Sequence, residues 1–365
     1  MNIKAILFGS AAALVAFSGV QAADAIVAAE PEPMEYVRVC DAFGEGYFYI
    51  PGTETCLKIG GYVRVQADGR SDLDIGGFGN TVDGGYQTNT RAHLTFEAKS
   101  DTELGTLASL ITVEANSNSN DALTLDETYI ELGGLRVGYF YNYFDTGLPG
   151  ETVLHDAGPI AGFENLFGYD YRGGDTLNNS VRYTFEGGAF KAYVQADFFD
   201  SQDGWKTDAA GDDDDIGINA LIAAKFGGVS VDLFGGYDFS NDDGVLASTL
   251  TAELGPGTLG VFGVYSFGPT RYWDYSEWTI GAEYAIKVTD KLNITPGAQY
   301  FSKIVPTFDD YAGGNAWRLG VTADYEIVKD LKLKATVNYT DVDIDYAGLG
   351  GGDYWSGFLR LQRDF

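Results

Sequence analysis

The chain has 365 residues, with 49 Gly, 24 Tyr, 23 Phe and 5 Trp, and a formal net charge of −30. That charge argues against nucleic acid as a partner, because phosphate recognition needs a basic face. The aromatic content argues against a disordered chain, and no apolar run after residue 22 reaches the ~18 residues a spanning helix needs.

Residues 1–22 read as a signal peptide. Lys4 supplies the basic end, Ala5 to Phe17 the apolar stretch, and Ser18 to Ala22 the small residues of a cleavage site. Residues 23–56 read as a periplasmic N-terminal segment. It opens with ADAIVAAEPEPME, whose Pro31 and Pro33 suggest an extended linker. It also holds both cysteines of the chain, Cys40 and Cys56. Export to an oxidising compartment makes a Cys40–Cys56 disulfide the leading reading, with free thiols as the alternative. No CxxC or HExxH pattern is present, so neither a metal nor a cofactor is expected.

Residues 57–365 read as a transmembrane barrel. In Trp278 to Val288, Trp278, Ile280, Ala282, Tyr284, Ile286 and Val288 share one face, while Thr279, Gly281, Glu283 and Lys287 share the other. Such segments recur near 57–68, 88–100, 105–117, 125–132, 135–145, 178–186, 189–200, 215–226, 229–240, 246–254, 258–268, 277–289, 291–304, 315–328, 331–343 and 353–365. Tight turns are expected at Gly133-Gly134, Gly187-Gly188, Gly227-Gly228, Gly255-Pro256-Gly257, Thr289-Asp290 and Lys329-Asp330. The other connections are mostly longer and rich in Asp, Asn and Gly. Short turns on one side and long loops on the other predict an all-β, sixteen-stranded antiparallel outer-membrane barrel. Its turns and both chain ends face the periplasm. Phe190 and Phe226 near the turns, and Tyr237, Tyr265, Trp278, Trp317 and Trp355 at the opposite strand ends, fit two interfacial girdles. A soluble β-sandwich would hide its apolar face and would not need them.

A sixteen-stranded cylinder is too wide for side chains to fill, so it holds water. When it closes, the last strand lies beside the first two. Arg64, Arg91 and Arg360 then face inward at mid-strand height and form the expected constriction wall. The longest connection, Thr146 to Leu177, is the third outer loop and carries Glu151, Asp156 and Glu164 as expected constriction acids. Acids facing arginines would set a transverse field that orients dipolar solutes. The alternative is that the arginines pair with lumen carboxylates such as Glu97.

Three further motifs are weaker. Gly255 to Gly260 matches GxGxxG, but a strand follows instead of a helix, so it reads as a turn. Asp212 to Asp215 reads as a solvated loop tip, or alternatively as a cation-bridged contact to lipopolysaccharide. His93 and His155 lack a nucleophile context, so an enzyme is not expected.

Glu30 to Arg64, EPEPMEYVRVCDAFGEGYFYIPGTETCLKIGGYVR, resembles the start of alphaproteobacterial porins of the Rhizobiales type. MNIKAILFGSAAALVA and YIELGGLRVGYF (Tyr129 to Phe140) resemble them too. The resemblance implies a homotrimeric porin in outer-membrane lipid and lipopolysaccharide. Small hydrophilic solutes would diffuse past a third loop folded into the lumen. The last strand, ending at Phe365, looks like the signal read by the barrel-assembly machinery. A solute-selective channel, or a barrel acting mainly as receptor or adhesin, are the alternatives.

Overall fold

Sixteen long strands follow one another in sequence, each antiparallel to the next. They are β1 Cys56–Arg70, β2 Gly85–Thr102, β3 Gly105–Asn116, β4 Thr124–Leu132, β5 Leu135–Tyr141, β6 Leu177–Gly187, β7 Phe190–Phe198 and β8 Ile216–Phe226. The second half runs β9 Val229–Asp238, β10 Asp243–Leu254, β11 Gly257–Ser266, β12 Trp278–Lys287, β13 Leu292–Ser302, β14 Asn315–Val328, β15 Leu331–Tyr346 and β16 Leu349–Asp364. β16 pairs with β1 from Tyr62↔Asp364 to Arg70↔Ser356, which closes the cylinder. Closure leaves no open edge, the condition for a sheet to cross a bilayer. This is a computed structural model, and it describes residues 38–75, 81–119, 123–160, 176–199, 216–307, 310–346 and 348–365. Residues 39–365 form one unit. The signal-peptide reading of residues 1–22, the acid Glu164 and the run Asp212 to Asp215 lie outside the described residues.

The alternation of the strands fixes which face is outside. Ile280 is 53% exposed, while Thr279 and Glu283 are 2% and 3% exposed. The apolar face therefore points out and the polar face in, the reverse of a soluble sandwich. No helix among the described residues is long and apolar enough to cross a membrane.

The turns match the expected places with two adjustments: Gly257 already belongs to β11, which leaves Gly255-Pro256 as that turn, and one turn is shifted. β6 runs through Gly187, so the turn there is Gly188-Ala189, with Gly188 at φ 63°. Gly133, Gly227 and Gly255 take the same left-handed conformation at φ 58°, 59° and 58°. Several strands extend further toward the loops than the apolar alternation does. β2 starts at Gly85 and β16 at Leu349, because segments such as Gly85-Tyr86-Gln87 have left the apolar zone but keep their ladder bonds. β5 is shorter than expected and ends at Tyr141. Asn142 accepts from the Phe144 N–H at 2.9 Å and caps a short 3-10 turn, Tyr143–Asp145, so the third loop begins at residue 142.

Cys40 and Cys56 are joined in a disulfide with Cα atoms 6.0 Å apart. Cys56 is the first residue of β1, so the bridge ties the preceding segment to the turn end of the barrel. There the Tyr47 hydroxyl donates to Glu97, and its ring lies 5.2 Å from Lys99 Nζ.

Candidate functional site

The main buried cluster lies inside the barrel, where the third loop meets the wall. Inward glycines on adjacent strands make a trough for that loop. A Cβ at Gly281 (β12) would come within 2.5 Å of Val153 Cγ1, and one at Gly260 (β11) within 2.7 Å of Leu148 Cδ2. Gly297 (β13) and Gly320 (β14) approach Thr152 in the same way. Only residues without a side chain leave room for these loop side chains against the wall.

Hydrogen bonds then hold the loop along β12–β15. The Gly150 N–H donates to Glu283 Oε1 (2.7 Å), and the Thr152 hydroxyl donates to Asn338 Oδ1 (2.7 Å). The Leu154 N–H donates to Gln299 Oε1 (3.0 Å). Arg318 Nη2 donates to the carbonyls of Gly158 (3.0 Å) and Pro159 (3.1 Å). Aromatic contacts seat the base of the loop. Tyr143 stacks on Phe234 with centroids 4.7 Å apart, and His155 packs on Phe262 at 3.6 Å. Burial pushes the His155 imidazole down to about 3, so it stays neutral.

The wall residues form a continuous cationic arc. Arg64 on β1 lies directly across from Arg91 on β2, and Lys334 on β15 directly across from Arg360 on β16. Like charges placed opposite each other destabilise a sheet, so each has its own acceptor. Arg64 Nε donates to Gln362 Oε1 (2.8 Å), and its guanidinium lies 4.6 Å from the Tyr62 ring centre. Arg91 pairs with Glu114 (3.1 Å) and donates to Asn116 (2.8 Å). Arg360 Nε donates to Gln66 Oε1 (2.5 Å). None of the three pairs with Glu97, which holds Lys99 at 2.5 Å.

Two of the three expected loop acids can be placed. Glu151 does not face the arginines from across the lumen. It sits among the cations, 2.8 Å from Lys334 and 3.7 Å from Arg360, because the loop lies along β12–β15. Asp156 is exposed, and its carbonyl accepts from the Tyr275 hydroxyl at 2.9 Å. The surrounding protein, and then Glu151, push its carboxyl up from the ordinary range.

The sequence reading missed Asp145. It projects from the 3-10 turn into the lumen, where the surrounding protein raises its carboxyl to about 7. Asp156, Glu127 and Asp126 add to the rise. Assigning residues 142–145 to β5 concealed it; an Asn cap followed by Tyr-Phe-Asp was the available signal. Asp126 in turn pairs with His93 at 2.9 Å and accepts from the Tyr141 hydroxyl. The lumen thus has acids clustered near β4 and the loop base, with Arg136 and Arg182 beside them, and cations on β15, β16, β1 and β2.

Residues 24–357 match the family model described as a porin subfamily. The chain belongs to that family. Outer membrane protein IIIA of Rhizobium leguminosarum bv. viciae is 43% identical, covering 93% of this chain and 90% of the relative. Porin Omp2b of Brucella neotomae is 34% identical over the whole of both chains. Among solved structures, the anion-selective porin from Comamonas acidovorans shares the fold at a TM-score of 0.62 and 16% identity, covering 86% of this chain and 100% of that one. OmpT of Vibrio cholerae in its trimer form does so at 0.57 and 11% identity, covering 86% and 100%. This porin is an outer-membrane channel for passive diffusion and not an enzyme.

Proposed function

We propose that solutes pass an eyelet bounded by Arg64, Arg91, Arg360 and Lys334 on one side and by the third loop with Asp145 and Asp156 on the other. The observation that carries this is the unbroken cationic arc over four adjacent strands, kept despite two directly opposed like-charge pairs. Fixed charges of both signs across a water-filled gap favour hydrated, dipolar solutes over apolar ones. Glu151 neutralises part of the arc, so ion selectivity is weak and leans toward cations. Small hydrophilic solutes are sorted mainly by size. Conductance and liposome swelling with a panel of unrelated sugars test the reading. Rates ranked by size support it, whereas saturation by one sugar would mark a solute-selective channel. A barrel that carries no current would leave a receptor or adhesin role. Replacing Arg64 and Arg360 together with Ser should raise the cation-to-anion permeability ratio by roughly 2- to 5-fold. An unchanged ratio would remove these arginines from the eyelet.

The working unit in this reading is a homotrimer in lipid and lipopolysaccharide. From β6 to β16 the outward face carries aromatics at both strand ends, among them Phe185, Phe226 and Tyr325 near the turns and Tyr237, Trp278 and Trp355 near the loops. Across β1–β4 the outward faces are mostly Val, Ala, Thr, Leu and Ile, and Tyr86 and Phe96 are the exceptions. A girdle belongs where lipid headgroups meet the barrel. Its gap over β1–β4 suits contact with a second copy. Residues 1–22 would be removed on export, and residues 23–56 would lie in the periplasm. Phe365 would be read by the barrel-assembly machinery.

A further inference from the structure

The outer connection between β11 and β12, residues 267–277, also turns into the barrel. Trp273 and Tyr272 on it are fully buried, at 0% exposure each. Nothing in the sequence pattern marks this loop as internal, because it is short and carries three charged residues, Arg271, Asp274 and Glu277.

Its contacts reach three parts of the lumen. The Tyr272 hydroxyl donates to Asp197 Oδ2 on β7 (2.7 Å), and the Arg271 N–H donates to Asp238 Oδ2 on β9 (2.7 Å). Trp273 lies against Phe144 of the third loop (5.7 Å between centroids) and Phe262 of β11 (6.5 Å). Its indole N–H donates to the Ser276 carbonyl at 2.7 Å, and its own carbonyl accepts from the Tyr311 hydroxyl at 3.1 Å. The Tyr275 hydroxyl reaches the Asp156 carbonyl in the third loop (2.9 Å). The wall strands touched are β7, β9 and β11, while Tyr311 lies on the connection between β13 and β14 and Phe144 and Asp156 belong to the third loop.

We propose that residues 267–277 are a second constriction element, with Trp273 as its positioning residue. The loop fills the β7–β11 side of the lumen and backs the third loop from behind. That leaves the permeation path on the opposite side, against β16, β1 and β2. Trp273 touches no solute. It acts through Phe144, which carries the 3-10 turn and so places Asp145. The size limit of the pore then depends on two inward loops instead of one. This rests on the channel reading but not on the identity of the eyelet charges.

The test uses the full-length protein in planar bilayers and liposomes. Trp273→Ala should raise single-channel conductance by roughly 1.3- to 2-fold and admit larger sugars, because part of the filled lumen opens to water. Trp273→Phe keeps a ring against Phe144 and should restore wild-type values. A merely structural role would lower heat resistance of the folded barrel without changing the sugar cut-off. If Trp273→Ala yields no folded barrel, Tyr272→Phe serves. It removes the bond to Asp197 while keeping the ring, and should increase current noise and conductance in the same direction. A folded variant of either kind with wild-type conductance and cut-off would overturn the proposal. A wild-type barrel that carried no current would instead overturn the channel reading itself.

Discussion

Asp145 is the residue whose environment departs most usefully from the ordinary. Its folded-state carboxyl titrates at about 7, first because protein surrounds it and then because Asp156, Glu127 and Asp126 are near. The sign follows directly. Below about 7 the group is neutral, and above it the group adds a negative charge to the loop base. Raising pH from 6 to 8 should therefore increase the cation-to-anion permeability ratio, by roughly 1.5- to 3-fold for one charge within a few Å of the path. Asp145→Asn should flatten that dependence. His93 and Asp126 also face this side, so the comparison of Asp145→Asn with wild type is the deciding one. Equal pH dependence in the two proteins would place the titrating group elsewhere. His155 does not contribute, because burial keeps it neutral far below this range.

At the scale of elements, the third loop stays inside the barrel because the wall beneath it has glycines where the side chains of Leu148, Thr152 and Val153 seat. Gly281→Leu would put a branched side chain where Val153 now lies. The barrel ladder is untouched, since Gly281 keeps its pairing with Gln299 and Phe262. The loop should lift away, with conductance rising roughly 1.5- to 3-fold and gating noise increasing, while the heat resistance of the folded barrel changes little. Wild-type conductance from folded Gly281→Leu would mean that the trough does not position the loop. The same contrast explains what the sequence made legible. Each of the sixteen strands could be read because one face meets lipid and the other water, which imposes a period of two. The arginines of β1, β2 and β16 could be placed by that period alone. Glu151 could not be set beside Lys334, because a loop has no period and its path depends on glycines in strands more than a hundred residues away. The inward course of residues 267–277 was hidden for the same reason. Its anchors, Asp197 and Asp238, lie on β7 and β9, with nothing in their spacing that ties them to this loop.

For the whole molecule, the decisive event is closure, and the last residue completes it. The Phe365 N–H donates to the Gly61 carbonyl at 3.0 Å, and the Gly61 N–H donates to the Phe365 carbonyl at 3.1 Å. Gly61 sits at φ 149°, and a Cβ there would run into the backbone of His93, so only glycine fits where the last residue meets the first strand. The Phe365 ring is 57% exposed on the outward face, in line with Leu361 and Trp355. Two contributions can thus be separated. Deleting Phe365 removes both backbone bonds, a loss of about 1–3 kcal/mol, together with the ring. Phe365→Ala keeps the bonds and removes the ring alone. If the ring serves mainly as a recognition signal, Phe365→Ala should refold in detergent with wild-type yield and heat resistance, yet accumulate poorly as folded barrel in cells. The deletion should be impaired in both settings. Normal amounts of folded Phe365→Ala in the outer membrane would reduce Phe365 to a closing residue, with its backbone as the part that matters.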